Sequence, residues 1–541
     1  MQKLTYLFLP RSGKLCLLLI VLLAGFLRFY KLDKIPMSLN WDEVAAGYNA
    51  YTIVNWGADE YGNKFPIVFK SFADDKHPVH IYLTSIVVKI FGLSDFNIRT
   101  TSAGIGVLTV IAIFFLAREL LSTQGESAFG VKSDLTALFS SLFLAVSSYH
   151  IHFSRGLWEN NFALFFFIAG LAAFYAGLRK RSYLVPISFI FFGFSFFSYH
   201  SAKIVVPIVV LLICLVNFKL LFKNKVMLIA SVLVSLLFGI LIIKDTRILG
   251  FARIGQTKFS DEQITKAGGK FNLIFSNYKK HFTYSYLFQN GDQGPRASVK
   301  IIGQFYKIDL LLGLIGLIAL ILKKKWHALL VIILWLILSP IPSSVSSIEP
   351  SAIRGIFTIG PMLLLSASGT GALIFLFKNK WLSVGITLVI LCFLSREVIN
   401  YLNYYSKVYP VKEAIEWQYG MKEIVEFSEK NPYFYRVYVD KIRQQPYIFF
   451  LYYLRVPLPE LLTTVKYDES ESKSFNTVVS FDKYRFGNWN IIDSYPNEGI
   501  LYAITSSYYT GLRYIQQFDV VRQIKYPDRA DAFYLVTGHN Q

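Results

Sequence analysis

The sequence predicts an α-helical polytopic membrane protein with a small C-terminal α/β domain outside the membrane. Three observations lead there. The 541 residues are 54% hydrophobic and 17% aromatic, with a mean hydropathy of +0.44, more apolar than an ordinary water-facing chain. Apolar runs at 15–30, 162–178, 204–222 and 356–377 approach the roughly 20 residues needed to cross a ~30 Å hydrocarbon core. From about residue 396 the composition becomes that of a soluble domain.

The first element is an uncleaved span. Lys3, Arg11 and Lys14 precede the apolar run 17–23, and Arg28, Phe29, Tyr30 and Lys31 follow where a signal peptide would carry a small-residue cleavage site. The N-terminus is therefore read as cytoplasmic. Segment 77–92, HPVHIYLTSIVVKIFG, decides the rest of the topology. About 16 residues interrupted by Lys89 are short for a span and suit an interfacial helix. With that choice, Arg118, Lys132 and the basic clusters at 179–181, 219–225, 323–325 and 378–380 all fall on the cytoplasmic side, as the positive-inside rule requires.

The later spans then lie at roughly 98–117, 135–150, 162–178, 183–199, 203–222, 226–243, 308–322, 327–341, 355–377 and 381–395, about eleven with the first. An odd number places the C-terminus outside. Outside loops are expected at 32–97, 150–160 and 244–307. The last is basic, but loops longer than about 60 residues escape the charge rule. Residues 1–395 form the expected transmembrane domain and 396–541 the extracytoplasmic one. Within the latter, 412–428 and 446–454 read as helices, and 434–440, 477–481, 501–505, 518–524 and 532–536 as strands.

The net charge of +20 is thus a topology signal and does not point to nucleic acid. Cys16, Cys214 and Cys392 all sit in apolar segments, which implies no disulfide framework.

Charge is out of place in such a chain, and a cluster of it at the mouth of a helical bundle marks a functional site. Four polar groups fall on the outer side of this topology. They are Asp42 with Glu43; Asp74, Asp75, Lys76 and His77; His150, His152, Arg155 and Glu159; and Tyr199, His200 and Lys203 with Arg354. Carboxylates deprotonate an acceptor hydroxyl, and Arg or Lys holds a phosphate while neutralising charge on it as it leaves. The sequence has no P-loop and no G-x-G-x-x-G fingerprint, which favours a donor already carried on a lipid.

At these residues the chain resembles the GT-C membrane glycosyltransferases, in particular the protein O-mannosyltransferase and aminoarabinose transferase group (glycosyltransferase family 39-like). Asp42-Glu43 matches the acidic pair that follows the family's first span. DKHPV at 75–79 is similar to the Glu-Lys-Pro-Pro-Leu stretch before the interfacial helix, with His77 replacing the first proline. FGLSDFNIR at 91–99 and SYHIHFSRGLWEN at 148–160 resemble the following segments, and Glu159 takes the position of a second acid. The resemblance covers about 30–220 well, 221–395 weakly and little beyond.

The resemblance implies an inverting transfer of sugar from a polyprenyl-phosphate donor to an acceptor hydroxyl on a protein, lipid or glycan at the outer face of the cell membrane. Asp42 would be the general base with Glu43 beside it. Lys76, Arg155, Lys203 and Arg354 would hold the donor phosphate, and Asp74, Asp75, Glu159, His152, Tyr199 and His200 would orient sugar or acceptor. No cofactor is assigned beyond the lipid-phosphate sugar, which is the donor substrate. No residue is assigned to a metal, although Asp74-Asp75 and Glu159 leave a divalent ion open.

Plainer roles stand beside these. Asp42-Glu43 suits a helix cap, Asp74 to Lys76 a solvated ion-paired loop, Arg155 with Glu159 a structural pair, and Lys203 and Arg354 snorkelling cations. Trp41, Tyr48 and Tyr51 suit interface anchors as well as sugar-stacking platforms. The aromatic stretches WQYG at 417–420, QQPYIFFLYYL at 444–454 and RFGNWNI at 485–491 are expected in the C-terminal core, with acceptor docking the lesser reading. Two rival functions are an oligosaccharide transferase using a lipid pyrophosphate and a lipid-linked glycan flippase. Transporters bind near the bilayer midplane, whereas these carboxylates crowd one face, which favours the enzyme.

Overall fold

A computed structural model of the chain describes residues 11–541 except 73, 122–132, 180, 251–256, 348–349, 378, 442–444, 469–477, 488–495 and 540–541. Chain order begins with α1 (Arg11–Phe29), α2 (Trp41–Trp56), β1 (Phe69–Ser71), β2 (Asp74–Lys76), α3 (Pro78–Phe91), α4 (Asp95–Leu121), α5 (Ser133–Val146), α6 (Ser148–Arg155), α7 (Glu159–Arg179), α8 (Leu184–Phe196) and α9 (Ala202–Val216). Helices Lys225–Lys244, Lys307–Leu322, Trp326–Leu338, Ile359–Leu376 and Lys380–Lys407 continue the apolar series. Each of the eleven apolar segments anticipated as spans is helical. Seven of the described helices are long and apolar enough to cross a membrane. α3 is a 14-residue helix with Pro78 in its first turn, the shorter element that the sequence suggested. Lys3, Lys132, Lys180, Lys378, Gln444, Thr477 and residues 488–491 lie outside the described residues.

The fold consists of two discontinuous units. The helical unit combines Met1–Tyr30 with Thr100–Tyr404, and the mixed unit combines Lys31–Arg99 with Tyr405–Gln541. In the helical unit helices Lys307–Leu322 and Ile359–Leu376 approach closely. A Cβ at Gly316 would overlap the carbonyl oxygen of Leu365, and one at Gly369 would overlap that of Leu312. Glycine at both positions lets the two backbones touch, the small-residue packing that apolar helices use where lipid offers no hydrophobic drive. Trp335, fully buried, meets Phe167 edge to face at 5.2 Å.

The mixed unit is built on a seven-stranded sheet of order β4-β5-β6-β3-β7-β9-β8, with β3 (Arg436–Asp440), β4 (Lys466–Tyr467), β5 (Val478–Phe481), β6 (Tyr484–Gly487), β7 (Ile500–Thr505), β8 (Phe518–Lys525) and β9 (Asp531–Gly538). β3 runs parallel to both its neighbours, and the other pairs are antiparallel. Helix Tyr447–Tyr453 covers one face, with Phe450 4.7 Å from Tyr484 and 5.6 Å from Phe486. α2 packs on that helix: Tyr48 donates to the Val456 carbonyl at 2.9 Å, and Gly47 leaves room for the Tyr452 ring. Residues 31–99 and 405–541 therefore share one core.

The five anticipated strands correspond to β3, β5, β7, β8 and β9. β4, β6 and helix Leu458–Thr464 were not anticipated. The helix expected over 412–428 is instead Met421–Lys430, after two short turns, because Gln418 and Gly420 take positive φ values of 48° and 97°.

The glycine contact yields a test. Gly369→Ala is expected to destabilise the protein by about 1–3 kcal/mol through overpacking, whereas Gly385→Ala, whose added methyl would meet nothing within 4 Å, is expected to be neutral or slightly stabilising. Thermal unfolding in detergent checks this, and equal melting temperatures for the two variants would contradict it.

Candidate active site

In the mixed unit the site grows from the start of α2. Asn40 is the N-cap, and its Oδ1 accepts the backbone N–H of Asp42 at 2.9 Å and of Glu43 at 3.1 Å. Glu43 Oε2 accepts the Asn40 N–H in return at 3.1 Å. This reciprocal capping box fixes the first turn and parts the two acids. Glu43 turns inward and is fully buried, with Oε1 2.9 Å from Arg99 Nε and Oε2 3.0 Å from Arg99 NH2. The same guanidinium donates to the carbonyls of Leu32, Pro36 and Ser38.

Asp42 turns outward. Its Oδ1 lies 2.8 Å from Lys76 Nζ, and the two side chains are 28% and 15% exposed, so solvent and ligands reach the pair. Lys76 is held by the β1–β2 hairpin, where it pairs with Phe69, as Asp75 does with Lys70. The hairpin alternates its faces, placing Lys70 and Lys76 on opposite sides. Asp74 belongs to β2, while its side chain lies outside the described residues. His77, the departure from the family stretch, is buried and precedes Pro78 as the N-cap of α3.

Two further carboxyls of the same unit, Asp59 and Glu60, adjoin each other. Asp59 organises a tight loop by accepting from the N–H groups of Tyr61 and Asn63. Next to it Glu60 is 2% exposed, and neither of its carboxyl oxygens has a hydrogen-bond partner among the described residues. Tyr61 stacks on Tyr467 at 5.5 Å, with Lys70 Nζ 4.8 Å from its ring centre. Burial, reinforced by Asp59 and opposed by Lys70, raises the Glu60 pKa well above the usual carboxyl range. The Asp-Glu-Tyr-Gly-Asn order signals a turn, but only burial reveals this acid.

The helical unit places the other predicted residues. Arg155 caps the C-terminal end of α1, donating to the carbonyls of Leu27, Arg28 and Tyr30 at 2.9, 3.1 and 2.9 Å. Arg28 NH2 and His150 Nδ1 are 2.7 Å apart. His152 Nε2 lies 2.7 Å from the Arg296 carbonyl. Burial, aided by Arg155 and opposed by that carbonyl, pushes His152 down to about 4, so it is neutral at physiological pH.

Glu159 occupies the first turn of α7 and is partly exposed. His200 Nδ1 and Lys203 Nζ are 3.2 Å apart, closed over by Gly250, whose φ of +75° and whose 2.5 Å Cβ distance to His200 admit only glycine. Tyr199 is 9% exposed beside His200.

Arg354 bonds the Ser346 hydroxyl and acts on Asp292, a residue the sequence did not single out. Asp292 accepts from the N–H of Ala352 at 2.6 Å and of Gly294 at 2.7 Å, and burial raises its pKa although these bonds and Arg354 oppose it. Tyr149 donates to the Ala352 carbonyl at 2.5 Å. Tyr149, Asp292 and Arg354 thus form one cluster, and His200 with Lys203 forms another pair. Among the described residues no three His, Cys, Asp or Glu side chains are grouped to hold a metal ion.

Two outcomes test this geometry. Arg99→Met leaves the Glu43 carboxylate buried and unpaired and is expected to destabilise the protein by about 3–5 kcal/mol, read as loss of folded, monodisperse protein. For Glu60, the native state keeps a proton that the unfolded chain releases above pH ~4.3, so stability falls as pH rises from there to the native pKa, by up to about 1.4 kcal/mol per pH unit. Glu60→Gln is therefore expected to flatten the stability profile between pH 5 and 8 relative to wild type. Parallel profiles would show that Glu60 does not titrate this way.

Residues 75–243 match the family model for dolichyl-phosphate-mannose-protein mannosyltransferases. No curated protein matches the chain. Among solved structures, ArnT from Cupriavidus metallidurans in the apo state is 13% identical, with a TM-score of 0.56, over 98% of this chain and 100% of that one. The same protein bound to undecaprenyl phosphate is 14% identical with a TM-score of 0.53, again over 98% and 100%. The chain thus has an ArnT-like fold with several helices apolar enough to cross a membrane, and its residues 75–243 match the model of the mannosyltransferase family.

Proposed function

We propose that this protein transfers a sugar from a polyprenyl-phosphate donor to an acceptor hydroxyl on the outer face of the cell membrane, with inversion at the anomeric carbon. The observation that carries the reading is the accessible Asp42–Lys76 pair, a base and a cation 2.8 Å apart at the positions where the family resemblance puts both. A structural neighbour that binds undecaprenyl phosphate supports a lipid-phosphate donor of this class.

In the proposed step, Asp42 takes the proton of the acceptor hydroxyl as its oxygen forms a bond to the anomeric carbon. The bond from that carbon to the phosphate oxygen breaks on the opposite face, as in single-displacement inversion, and the electron pair leaves on the lipid phosphate. Lys76 neutralises the charge that develops there. Lys203 and Arg354 are proposed as further phosphate ligands, and Asp74, Asp75, Glu159, Tyr199 and His200 as groups that orient sugar or acceptor. Glu43, Arg155 and His152 are proposed as positioning residues, because each is buried and committed to neighbouring groups.

The test uses full-length protein in lipid with a panel of radiolabelled polyprenyl-phosphate sugars and membrane extract. Asp42→Asn is expected to lower transfer by about 10²–10⁴-fold with an unchanged melting temperature, and Lys76→Gln to weaken donor use as well. Retained transfer in folded Asp42→Asn would remove Asp42 as the base. If wild type used none of the monophosphate donors, a pyrophosphate-linked donor would take their place.

A further inference from the structure

A groove of about 860 Å³ separates helix Lys380–Lys407 from helices Lys307–Leu322 and Ile359–Leu376 in the helical unit. Its walls are hydrocarbon, among them Leu311, Leu373, Trp381, Ile386, Val389 and Phe393. Gly385 leaves one wall open, since a Cβ there would meet nothing within 4 Å. At the end marked by Lys307, the lining turns polar with Arg396, Glu397 and Asn400. The Glu397 carboxylate accepts the backbone N–H groups of Lys307 and Ile308 at 3.1 and 3.3 Å. Lys307 and Arg396 are both exposed, and neither side chain has an ion pair among the described residues.

We infer that this groove seats one anionic phospholipid of the surrounding bilayer, with an acyl chain along the apolar walls and the phosphate between Lys307 and Arg396. A void between membrane helices forfeits dispersion contacts on every wall, and water has no polar partners along this one. A lipid chain is the filler at hand. Two cations at the mouth, next to a carboxylate already engaged by two N–H groups, select a negative headgroup. On helix Lys380–Lys407 the groove-lining Trp381, Val389 and Phe393 are 82%, 55% and 56% exposed, so the lipid completes the packing of that face. The groove is distinct from the donor site proposed above. None of the residues assigned to the donor line it, and all its lining residues fall outside 75–243, the segment that matches the family.

The experiment is native mass spectrometry of the delipidated full-length protein, titrated separately with phosphatidylglycerol and phosphatidylcholine. Wild type is expected to bind one phosphatidylglycerol roughly tenfold more tightly than phosphatidylcholine. The double variant Lys307→Gln/Arg396→Gln is expected to lose that preference and keep its melting temperature, since both residues are exposed. Gly385→Leu, which fills the groove, is expected to weaken both lipids. Equal affinities in wild type, or phosphatidylglycerol binding unchanged in both variants, would overturn the assignment. So would polyprenyl phosphate displacing the phospholipid at equal concentration, or a dimer that excludes it.

Discussion

The buried ion pair of Arg99 and Glu43 is the constraint on which the candidate site depends. A guanidinium and a carboxylate removed from water are tolerable only when every donor and acceptor is met, and here the surplus N–H groups of Arg99 are taken by the carbonyls of Leu32, Pro36 and Ser38. That arrangement gathers the chain from 32 to 43 around one side chain. It sets the angle at which α2 begins, and so the direction in which Asp42 leaves the helix. The accessible acid is placed by the inaccessible one beside it.

A division of labour between adjacent residues recurs in the helical unit. Charged groups deep in apolar surroundings mostly serve backbone oxygens: Arg155 at the end of α1, Arg28 against Leu144 and Ala145, and His152 against Arg296. Helix ends leave carbonyls unsatisfied, and in a membrane protein water is not there to meet them. Those side chains hold backbone carbonyls in place, whereas Lys203 and Arg354 of the same unit are partly exposed and bond side chains, His200 and the Ser346 hydroxyl.

Much of the architecture was legible because the bilayer imposes a length and a composition on each span. All eleven apolar segments and the short helix after His77 were found that way. Strands with clear alternation were legible too, whereas β4, with two residues, and β6, with four, are too short to carry a period. The site was legible only in part. Asp42-Glu43 could be recognised as a pair, but its separation into one outward and one buried acid is decided by Arg99, 56 residues further on. Glu60 and Asp292 were hidden behind turn signals, because what distinguishes them is burial. Arg155, expected at the donor phosphate, also meets the carbonyls at a helix end, a partner that the sequence does not reveal because a cation in an apolar run reads the same in either setting.

The mixed unit is assembled from two stretches of chain separated by about 300 residues, Lys31–Arg99 and Tyr405–Gln541. During synthesis at roughly 5–20 residues per second, the first stretch waits on the order of 15–60 s for its partner to be made. Throughout that interval Gly47 has no Tyr452 to pack against, and Tyr61 has no Tyr467. The interval is a window in which a membrane chaperone can hold the loop or a protease can cut it. It also ties the setting of Asp42 to completion of the chain, because a chain that ends at residue 404 holds the whole helical unit while the scaffold beneath Asp42 is unfinished.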